Sequence, residues 1–155
     1  MAGKLRSTNL SVFLTAGMAL KTWADTGSFD REIEIYKRLS NEMRQINLVT
    51  YGGINDYAYR RRLKNIRILP TRWHTKRFYN QVRLFSLFWP FLSRSNILKT
   101  NQIRGSELAV WAKKVFKKKL IVRCGMLHSK SIKGGSDNPE KILRAERLEE
   151  HAFKN

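Results

Sequence analysis

Short apolar runs alternate along this sequence with segments that repeat apolar residues at helical spacing. The runs predict strands at 10–14, 46–50, 66–69, 97–98 and 120–122. Helices are predicted from residue 28 or 29, over 56–63, from 106 and from 138. Such alternation is typical of a parallel sheet covered by helices on both faces. We therefore predict an α/β fold, a Rossmann-like doubly wound parallel sheet of about five strands, incomplete at the C-terminus because a further strand is expected there.

The stretch 96–125 contains a complete strand, helix and strand. In its helix, apolar residues recur at i, i+3, i+4 and i+7, which predicts a buried stripe of Leu108, Trp111, Ala112 and Val115. The second strand is a continuous apolar run, which is typical of a strand covered on both faces. Two strands joined by a helix are most simply parallel, and the crossover between them is then right-handed. We therefore expect Asn101, Gln102 and Arg123 at the carboxyl edge of the sheet, where open α/β sheets bind ligands.

A polar loop is predicted at 15–28, between the first strand and the first helix. It contains Gly17 and Gly27, and the helix that follows has Asp30 and Glu32 in its first turn, where the helix dipole favours negative charge. The inner face of this helix is predicted to consist of Phe29, Ile33, Tyr36 and Leu39. A strand, a glycine-bearing loop and a helix N-terminus together offer backbone N–H groups to a phosphate. Because no G-x-G-x-x-G is present, an ordinary turn remains the alternative.

The segment 72–94 mixes aromatic and cationic residues densely. Two interpretations stay open: a crossover helix packed on the sheet, or a segment that binds the surface of an anionic membrane. The apolar run 84–92 is too short to span a bilayer. The residues predicted for a membrane surface are Trp73, Arg77, Phe85, Phe88 and Trp89.

The excess of positive charge indicates which classes of partner the protein can bind, but it says little about the fold. The 155 residues carry 31 Lys plus Arg against 12 Asp plus Glu, a formal net charge of +19. Such a charge attracts nucleic acid, anionic lipid or phosphorylated substrates. No RRM, KH, zinc-finger or helix-turn-helix signature appears, which makes nucleic acid the less favoured partner. The single cysteine, Cys124, excludes an internal disulfide, and no His/Cys spacing fits a metal, so we predict no metal cofactor.

Four segments together resemble a known family. They are KTWADTGSFDREIEIYKRL at 21–39, LVTYGG at 48–53, ILKTNQIRGSELAVWAKKVFKKKLIVRCG at 97–125 and RAERLEE at 144–150. In order and spacing they resemble the amino-terminal domain of GT-B glycosyltransferases of family 4, the "group 1" class. The resemblance implies two Rossmann-like domains, the first binding most of the acceptor and the second most of the nucleotide-sugar. It also implies transfer of the sugar to a polysaccharide or a lipid-linked glycan.

The resemblance also implies roles for individual residues. Gly27 and Ser28 fill the places of the glycine loop and would bind the donor phosphate through backbone N–H groups. Asn101, Gln102 and Arg123 would line the acceptor side. Family members often carry a histidine after the strand matched by 120–123, and His128 is the nearest candidate for this catalytic role. The nucleotide-sugar is a substrate, and the resemblance adds no cofactor.

The family's second domain, with its donor-binding glutamate motif, has no counterpart in residues 1–155. We therefore expect a single, partial Rossmann-like domain, either a fragment or a half-enzyme that needs a separate chain carrying the C-terminal domain. It is expected to have no transferase activity alone. The expected location is the cytoplasm, including the inner face of the membrane for access to lipid-linked acceptors. The alternative functions are a basic nucleic-acid-binding protein and a noncatalytic membrane-surface protein.

Overall fold

The computed structural model describes residues 5–71, 86–125, 127–133 and 138–154, without the side chains of residues 128, 131 and 133. The strands are β1 (Asn9–Phe13), β2 (Gln45–Thr50), β3 (Ile66–Pro70), β4 (Ile97–Thr100) and β5 (Lys119–Ile121). The α-helices are α1 (Leu20–Asp25), α2 (Phe29–Glu42), α3 (86–93), α4 (Ser106–Phe116), α5 (His128–Lys133) and α6 (Pro139–Lys154). A 3₁₀ helix spans Ile54–Arg62.

The five strands form one sheet in the order β3-β2-β1-β4-β5, and every neighbouring pair is parallel. The chain thus builds outward from β1 to β3, returns to the other side of β1, and builds outward again to β5. This arrangement confirms the predicted Rossmann-like doubly wound fold. The carboxyl ends of all five strands meet at one edge of the sheet, which is where a ligand crevice is expected.

The sheet is buried on both faces because apolar side chains alternate along its strands. Even-numbered residues of β1 and β2 pack against α1 and α2, and odd-numbered ones pack against α3 and α4. The first core layer includes Leu10, Val12, Trp23, Phe29, Ile33, Tyr36, Ile46 and Leu48. The second includes Phe13, Val49, Leu69, Phe88, Leu92, Leu98, Leu108 and Ala112. Phe88 is therefore a core residue, and the prediction that it lies at a membrane surface is wrong.

One helix lies where the sequence predicts a polar loop. Helix α1, Leu20–Asp25, interrupts the loop 15–28, and Leu20 and Trp23 are buried against the sheet. Its first turn is fixed by a distant carboxylate, because Oδ1 of Asp56 accepts a hydrogen bond from the Leu20 N–H at 3.2 Å. Oδ2 of Asp56 accepts a second one from the Thr50 hydroxyl at 2.5 Å. The prediction of a loop was wrong because this stabilisation comes from the segment after β2.

The 3₁₀ helix makes a contact that the sequence does not predict. The sequence predicts a short helix at 56–63 with Arg60, Arg61 and Arg62 on a solvated face, and all three are exposed. Arg62 also donates from Nη2 to both carboxylate oxygens of Asp30, at 2.9 Å each, and its guanidinium lies 4.3 Å from the ring centroid of Phe29. Arg62 therefore ties the 3₁₀ helix to the first turn of α2.

Two predictions for the 96–125 unit need correction. Leu108 and Ala112 are buried as predicted, but Trp111 and Val115 are 46% and 41% exposed, and Ala109 and Val110 are buried instead. The buried face of α4 therefore differs from the predicted stripe. Strand β5 is at the edge of the sheet, and Ile121 is 51% exposed, so it is not covered on both faces.

Helix α6 packs on α4 and on α5. The predicted cap of α6 is confirmed, since Oδ1 of Asn138 accepts hydrogen bonds from the N–H groups of Glu140 and Lys141 at 3.1 and 3.2 Å. Glu149, buried on α6, accepts hydrogen bonds from the N–H and the hydroxyl of Ser129 at 2.8 and 2.9 Å. Within the described ranges, no helix has both the length and the apolarity to cross a membrane.

Candidate functional site

The strand order reverses between β1 and β4, and the loops after these two strands are joined by backbone hydrogen bonds. The Ala16 N–H donates to the Arg104 carbonyl at 3.0 Å, and the Asn101 N–H donates to the Phe13 carbonyl at 2.8 Å. The Tyr51 hydroxyl adds a bond of 3.3 Å to the Gly105 carbonyl. These contacts hold the loops after β1 and β4 together at the carboxyl edge of the sheet.

Asn101 and Arg123 meet at this edge, as the sequence predicts. Oδ1 of Asn101 accepts a hydrogen bond from Nη1 of Arg123 at 3.4 Å, although the side chain of Asn101 is almost fully buried. The backbone N–H of Arg123 donates to Oγ1 of Thr100 at 3.1 Å. The end of β4 therefore positions Arg123 through both its backbone and its side chain.

Gln102 lies beside the same loop. Its Oε1 accepts a hydrogen bond from the Gly125 N–H at 3.0 Å. A Cβ at position 125 would stand 3.0 Å from Nε2 of Gln102, so the amide is packed closely over this glycine. Asn101, Gln102 and Arg123 thus form one polar group, which we call the β4–β5 crevice.

Two residues that the sequence assigns elsewhere complete the β4–β5 crevice. The Tyr36 hydroxyl donates to Oδ1 of Asn101 at 3.4 Å, and Nζ of Lys99 donates to the Tyr36 hydroxyl oxygen at 3.2 Å. Tyr36 is on the buried face of α2, which packs against the sheet. Oδ1 of Asn101 therefore accepts hydrogen bonds from both Tyr36 and Arg123, and Lys99 contacts the Tyr36 hydroxyl.

Burial and neighbouring charge shift two pKa values in the crevice. Burial raises the pKa of Tyr36 to about 12, so its hydroxyl stays protonated at neutral pH. Burial, and then the nearby Arg123 guanidinium, lower the pKa of Lys99, while Glu32 opposes this shift. Lys99 and Arg123 are thus two cations close together, and a bound anion would offset the cost of keeping both charged.

Gly27 and Ser28 end helix α1 instead of opening toward the crevice. The Ser28 N–H donates to the Trp23 carbonyl at 2.9 Å, and the Gly27 N–H donates to the Ala24 carbonyl at 3.1 Å. This is the pair of bonds of a Schellman motif, with Gly27 in the required left-handed conformation at φ +67°. The two N–H groups on which the phosphate prediction rested are therefore used within the chain.

Gly17 occupies the position that the sequence argument assigned to Gly27. It lies in the loop that directly follows β1, has φ +85°, and would leave a Cβ in open space. No partner for its backbone N–H is found in the part of the chain that is described. Gly17 is thus a better placed glycine for a ligand approaching the point where the strand order reverses.

The remaining predicted residues divide into three groups. His128 begins α5, and its side chain lies outside the described residues. Trp73, Arg77 and Phe85 also lie outside them, so these membrane-surface predictions stay predictions. Phe88 is buried in the core, whereas Trp89 is half exposed and packs edge-on against Phe116 with ring centroids 4.6 Å apart.

The sequence did contain weak signals for the two residues that it missed. Lys99 lies within a short, mostly buried strand, and a partly buried lysine needs a polar partner. Tyr36 stands among apolar residues on the inner face of α2, and a buried tyrosine hydroxyl usually finds a partner. Neither signal identifies that partner, because the two residues come together only when α2 packs across β4.

Within the described residues, no group of three or more His, Cys, Asp and Glu side chains could hold a metal ion. Comparisons with protein-family models, with curated proteins and with solved structures found no match.

Proposed function

We propose that this chain is the acceptor-side domain of a glycosyltransferase and that the β4–β5 crevice binds the glycan acceptor. The observation that carries the proposal is the hydrogen bond from Arg123 to Asn101, 3.4 Å long, at the carboxyl edge of a doubly wound sheet. It joins two of the residues that the family resemblance places on the acceptor side. The third, Gln102, lies over the adjoining loop.

The chemistry of the crevice favours an acceptor that carries a negative charge. Amide and guanidinium groups are suited to the hydroxyls of a sugar, because they offer several directional donors and acceptors. Lys99 and Arg123 add two cations, and burial already lowers the pKa of Lys99. A phosphate or carboxylate on the acceptor would form charge-assisted hydrogen bonds with them. Acceptors of this class include acidic polysaccharides and glycans linked to lipid through phosphate.

The donor side of this proposal rests on a different glycine from the one first predicted. The Gly27 and Ser28 N–H groups are used to end α1, so they are poor donors for a diphosphate. Gly17, in the loop after β1, is the better candidate for contact with the donor phosphates. Most of the nucleotide-sugar would be bound by the second domain that the resemblance implies, supplied by another segment or another chain.

Acceptor binding can be tested without the donor domain. The purified chain would be titrated calorimetrically with maltotriose, glucose 1-phosphate and a uronic acid disaccharide, for wild type and for Arg123→Gln. We expect the two anionic sugars to bind more tightly than maltotriose, and Arg123→Gln to weaken them by about tenfold or more. Arg61→Gln removes the same charge from an exposed site on the 3₁₀ helix and is the matched control. Equal binding by the two variants, or no binding of any sugar, would contradict the proposal.

The proposal also makes a statement about catalysis. The purified chain is expected to transfer no sugar by itself from a panel of radiolabelled nucleotide-sugars to bacterial membrane glycans. The reason is that the resemblance places the donor-binding glutamate motif in a second domain. Detectable transfer by the chain alone would contradict the need for a second, donor-binding domain. It would not contradict the acceptor site, which the binding experiment tests separately.

A membrane-surface role is favoured by one further observation. Leu87 and Trp89 on α3 are 52% and 50% exposed, and exposed aromatic residues in a basic protein favour anionic membrane surfaces. We propose that this face docks the domain near lipid-linked acceptors. Sedimentation with anionic vesicles should fall for Trp89→Ala and stay unchanged for Trp111→Ala, a tryptophan of similar exposure on α4. Equal sedimentation of the two variants would refute docking through α3.

A further inference from the structure

A row of polar side chains crosses the sheet near its amino-terminal edge, opposite the β4–β5 crevice. The register places Ser11 of β1 beside Asn47 of β2, and Asn47 beside Arg67 of β3. Ser11 and Asn47 are 0% and 2% exposed, on the same face as the apolar Phe13 and Val49. Apolar residues would continue the core here, and a buried polar group is costly unless it is hydrogen-bonded. The row therefore needs a physical reason.

The direction of the hydrogen bonds in the row can be worked out. The Ser95 hydroxyl donates to the Phe91 carbonyl at 3.0 Å, which uses its only hydrogen. The Ser11 hydroxyl must then donate to Ser95 Oγ at 2.6 Å, and Nδ2 of Asn47 donates to Ser11 Oγ at 3.1 Å. The carbonyl oxygen Oδ1 of Asn47 is left buried with no partner among the described residues. A buried acceptor needs a donor, so this oxygen would not bind an anion itself, and an anion would bind to the cations around it.

Three arginines surround the end of the row. Asn47 lines a cavity of about 560 Å³ together with Arg44, Arg67 and Arg94, and none of the residues that line it is acidic. Within the described ranges, none of the three arginines forms an ion pair. Among the residues that the structure describes, the cavity therefore has three positive charges and no carboxylate to balance them.

Two of these arginines are held in place by neighbouring residues, Arg67 through its side chain and Arg94 through its backbone. The guanidinium of Arg67 lies 4.3 Å from the ring centroid of Phe91, a cation–π contact that holds the side chain at the cavity wall. The carbonyl of Arg94 accepts a hydrogen bond from Nδ2 of Asn9 at 2.9 Å, and the Asn9 N–H donates to Oδ1 of Asn96 at 2.8 Å. The start of β1 thus positions the segment that carries Arg94.

We propose that this cavity binds a phosphate-bearing anion, with Arg44, Arg67 and Arg94 as its ligands. Guanidinium groups offer paired donors that match phosphate oxygens, and three of them at one cavity would balance the charge of a phosphate or diphosphate. The site is separate from the proposed acceptor crevice, because it lies at the opposite edge of the sheet. It does not depend on the glycosyltransferase function.

Inorganic pyrophosphate is the first probe, measured by calorimetric titration of the full chain at low and at physiological salt. We expect Arg44→Gln and Arg94→Gln each to weaken its binding by about tenfold or more. The control is Arg61→Gln, which lowers the net charge equally at an exposed position away from the cavity. All three arginines mutated are exposed, so their loss is not expected to unfold the domain. If the three variants bind alike, attraction rests on net charge alone and the proposal is overturned. It is also overturned if wild type does not bind pyrophosphate.

A second arm identifies the source of the phosphate. The chain would be sedimented with phosphatidylcholine vesicles that contain phosphatidic acid, and with pure phosphatidylcholine vesicles. Sedimentation that needs phosphatidic acid and is lost in Arg44→Gln and Arg94→Gln assigns the site to a lipid headgroup. Pyrophosphate binding without such sedimentation assigns it to a soluble phosphate compound. Sedimentation that survives in both variants, with no effect on pyrophosphate binding, would refute the site.

Discussion

Lys99 and Tyr36 lie 63 positions apart in the sequence, and Nζ of Lys99 donates a hydrogen bond of 3.2 Å to the Tyr36 hydroxyl oxygen. The same ammonium group lies 5.5 Å from the centroid of the Tyr36 ring. The hydroxyl in turn donates to Asn101. Through this pair, helix α2 and strand β4 together form one wall of the proposed acceptor crevice, so changes at Tyr36 should affect both stability and the crevice.

The first prediction concerns the pH dependence of stability. The pKa of Tyr36 is raised to about 12 in the folded protein, whereas an unfolded tyrosine loses its proton near pH 10. The stabilisation is therefore complete below about pH 10 and is lost as the pH rises toward 12. Tyr36→Phe should remove a pH-dependent part of the free energy of unfolding of order 2 kcal/mol.

This can be measured by urea unfolding at about pH 9 and about pH 11 for wild type and Tyr36→Phe. Tyr57→Phe is the control, because Tyr57 is largely exposed on the 3₁₀ helix. The absorbance of tyrosinate should also show one group with a pKa near 12 in wild type that is missing in Tyr36→Phe. If Tyr36→Phe loses as much stability between the two pH values as wild type does, the hydroxyl of Tyr36 is not buried as described.

The second prediction concerns the carboxylate that fixes α1. Asp56 is 1% exposed and accepts hydrogen bonds from the Thr50 hydroxyl and the Leu20 N–H. Asp56→Ala leaves both donors buried without a partner and should lower the free energy of unfolding by about 2–3 kcal/mol. Asp25→Ala, which removes an exposed ion pair with Lys21, should cost less than about 1 kcal/mol. Urea denaturation of both variants measures the difference, and equal costs would contradict the role of Asp56.

The third prediction compares two glycines with positive φ. Gly27, at φ +67°, has open space for a Cβ, so Gly27→Ala should cost about 1 kcal/mol through backbone strain alone. Gly105, at φ +95°, would place its Cβ 2.8 Å from the Ala16 nitrogen and 2.9 Å from the Tyr51 hydroxyl oxygen. Gly105→Ala should therefore cost at least twice as much, because it also separates the loops after β1 and β4.

Thermal or urea unfolding of both alanine variants provides the test. Gly27→Asn is the control, because asparagine adopts the left-handed conformation more readily than alanine. It should be less destabilised than Gly27→Ala if the glycine serves to end α1. If Gly105→Ala is as stable as Gly27→Ala, the close packing of the two loops is not as described.

The fourth prediction uses two adjacent glutamates on α6. Glu149 is 7% exposed and accepts two hydrogen bonds from Ser129, whereas Glu150 is exposed and pairs with Lys154. Glu149→Ala should release α5 from α6 and speed hydrogen exchange in residues 127–133, while Glu150→Ala should leave it unchanged. Mass spectrometry of exchanged peptides separates the two variants. Unchanged exchange in Glu149→Ala would show that α5 is held by other contacts.

Part of the candidate site was visible in the sequence. Asn101 and Arg123 each follow an apolar run, and parallel strands bring their carboxyl ends to one edge, so their proximity could be predicted. Tyr36 and Lys99 could not be assigned to the site, because their meeting depends on how α2 crosses the sheet. The end of α1 at Gly27 was not visible in the sequence, because a glycine before a helix looks the same whether it binds a ligand or ends a preceding helix.

The sequence determined the features that depend on neighbouring residues. Apolar runs and helical stripes specified the alternation of strands and helices, and Asn138 with Pro139 specified the start of α6. The tertiary structure decided everything that joins distant segments. Asp56 caps α1 from 36 positions away, and β5 lies at an edge with Ile121 exposed. The reason is that burial and hydrogen-bond partners are set by which elements pack side by side, and a local pattern carries no information on that.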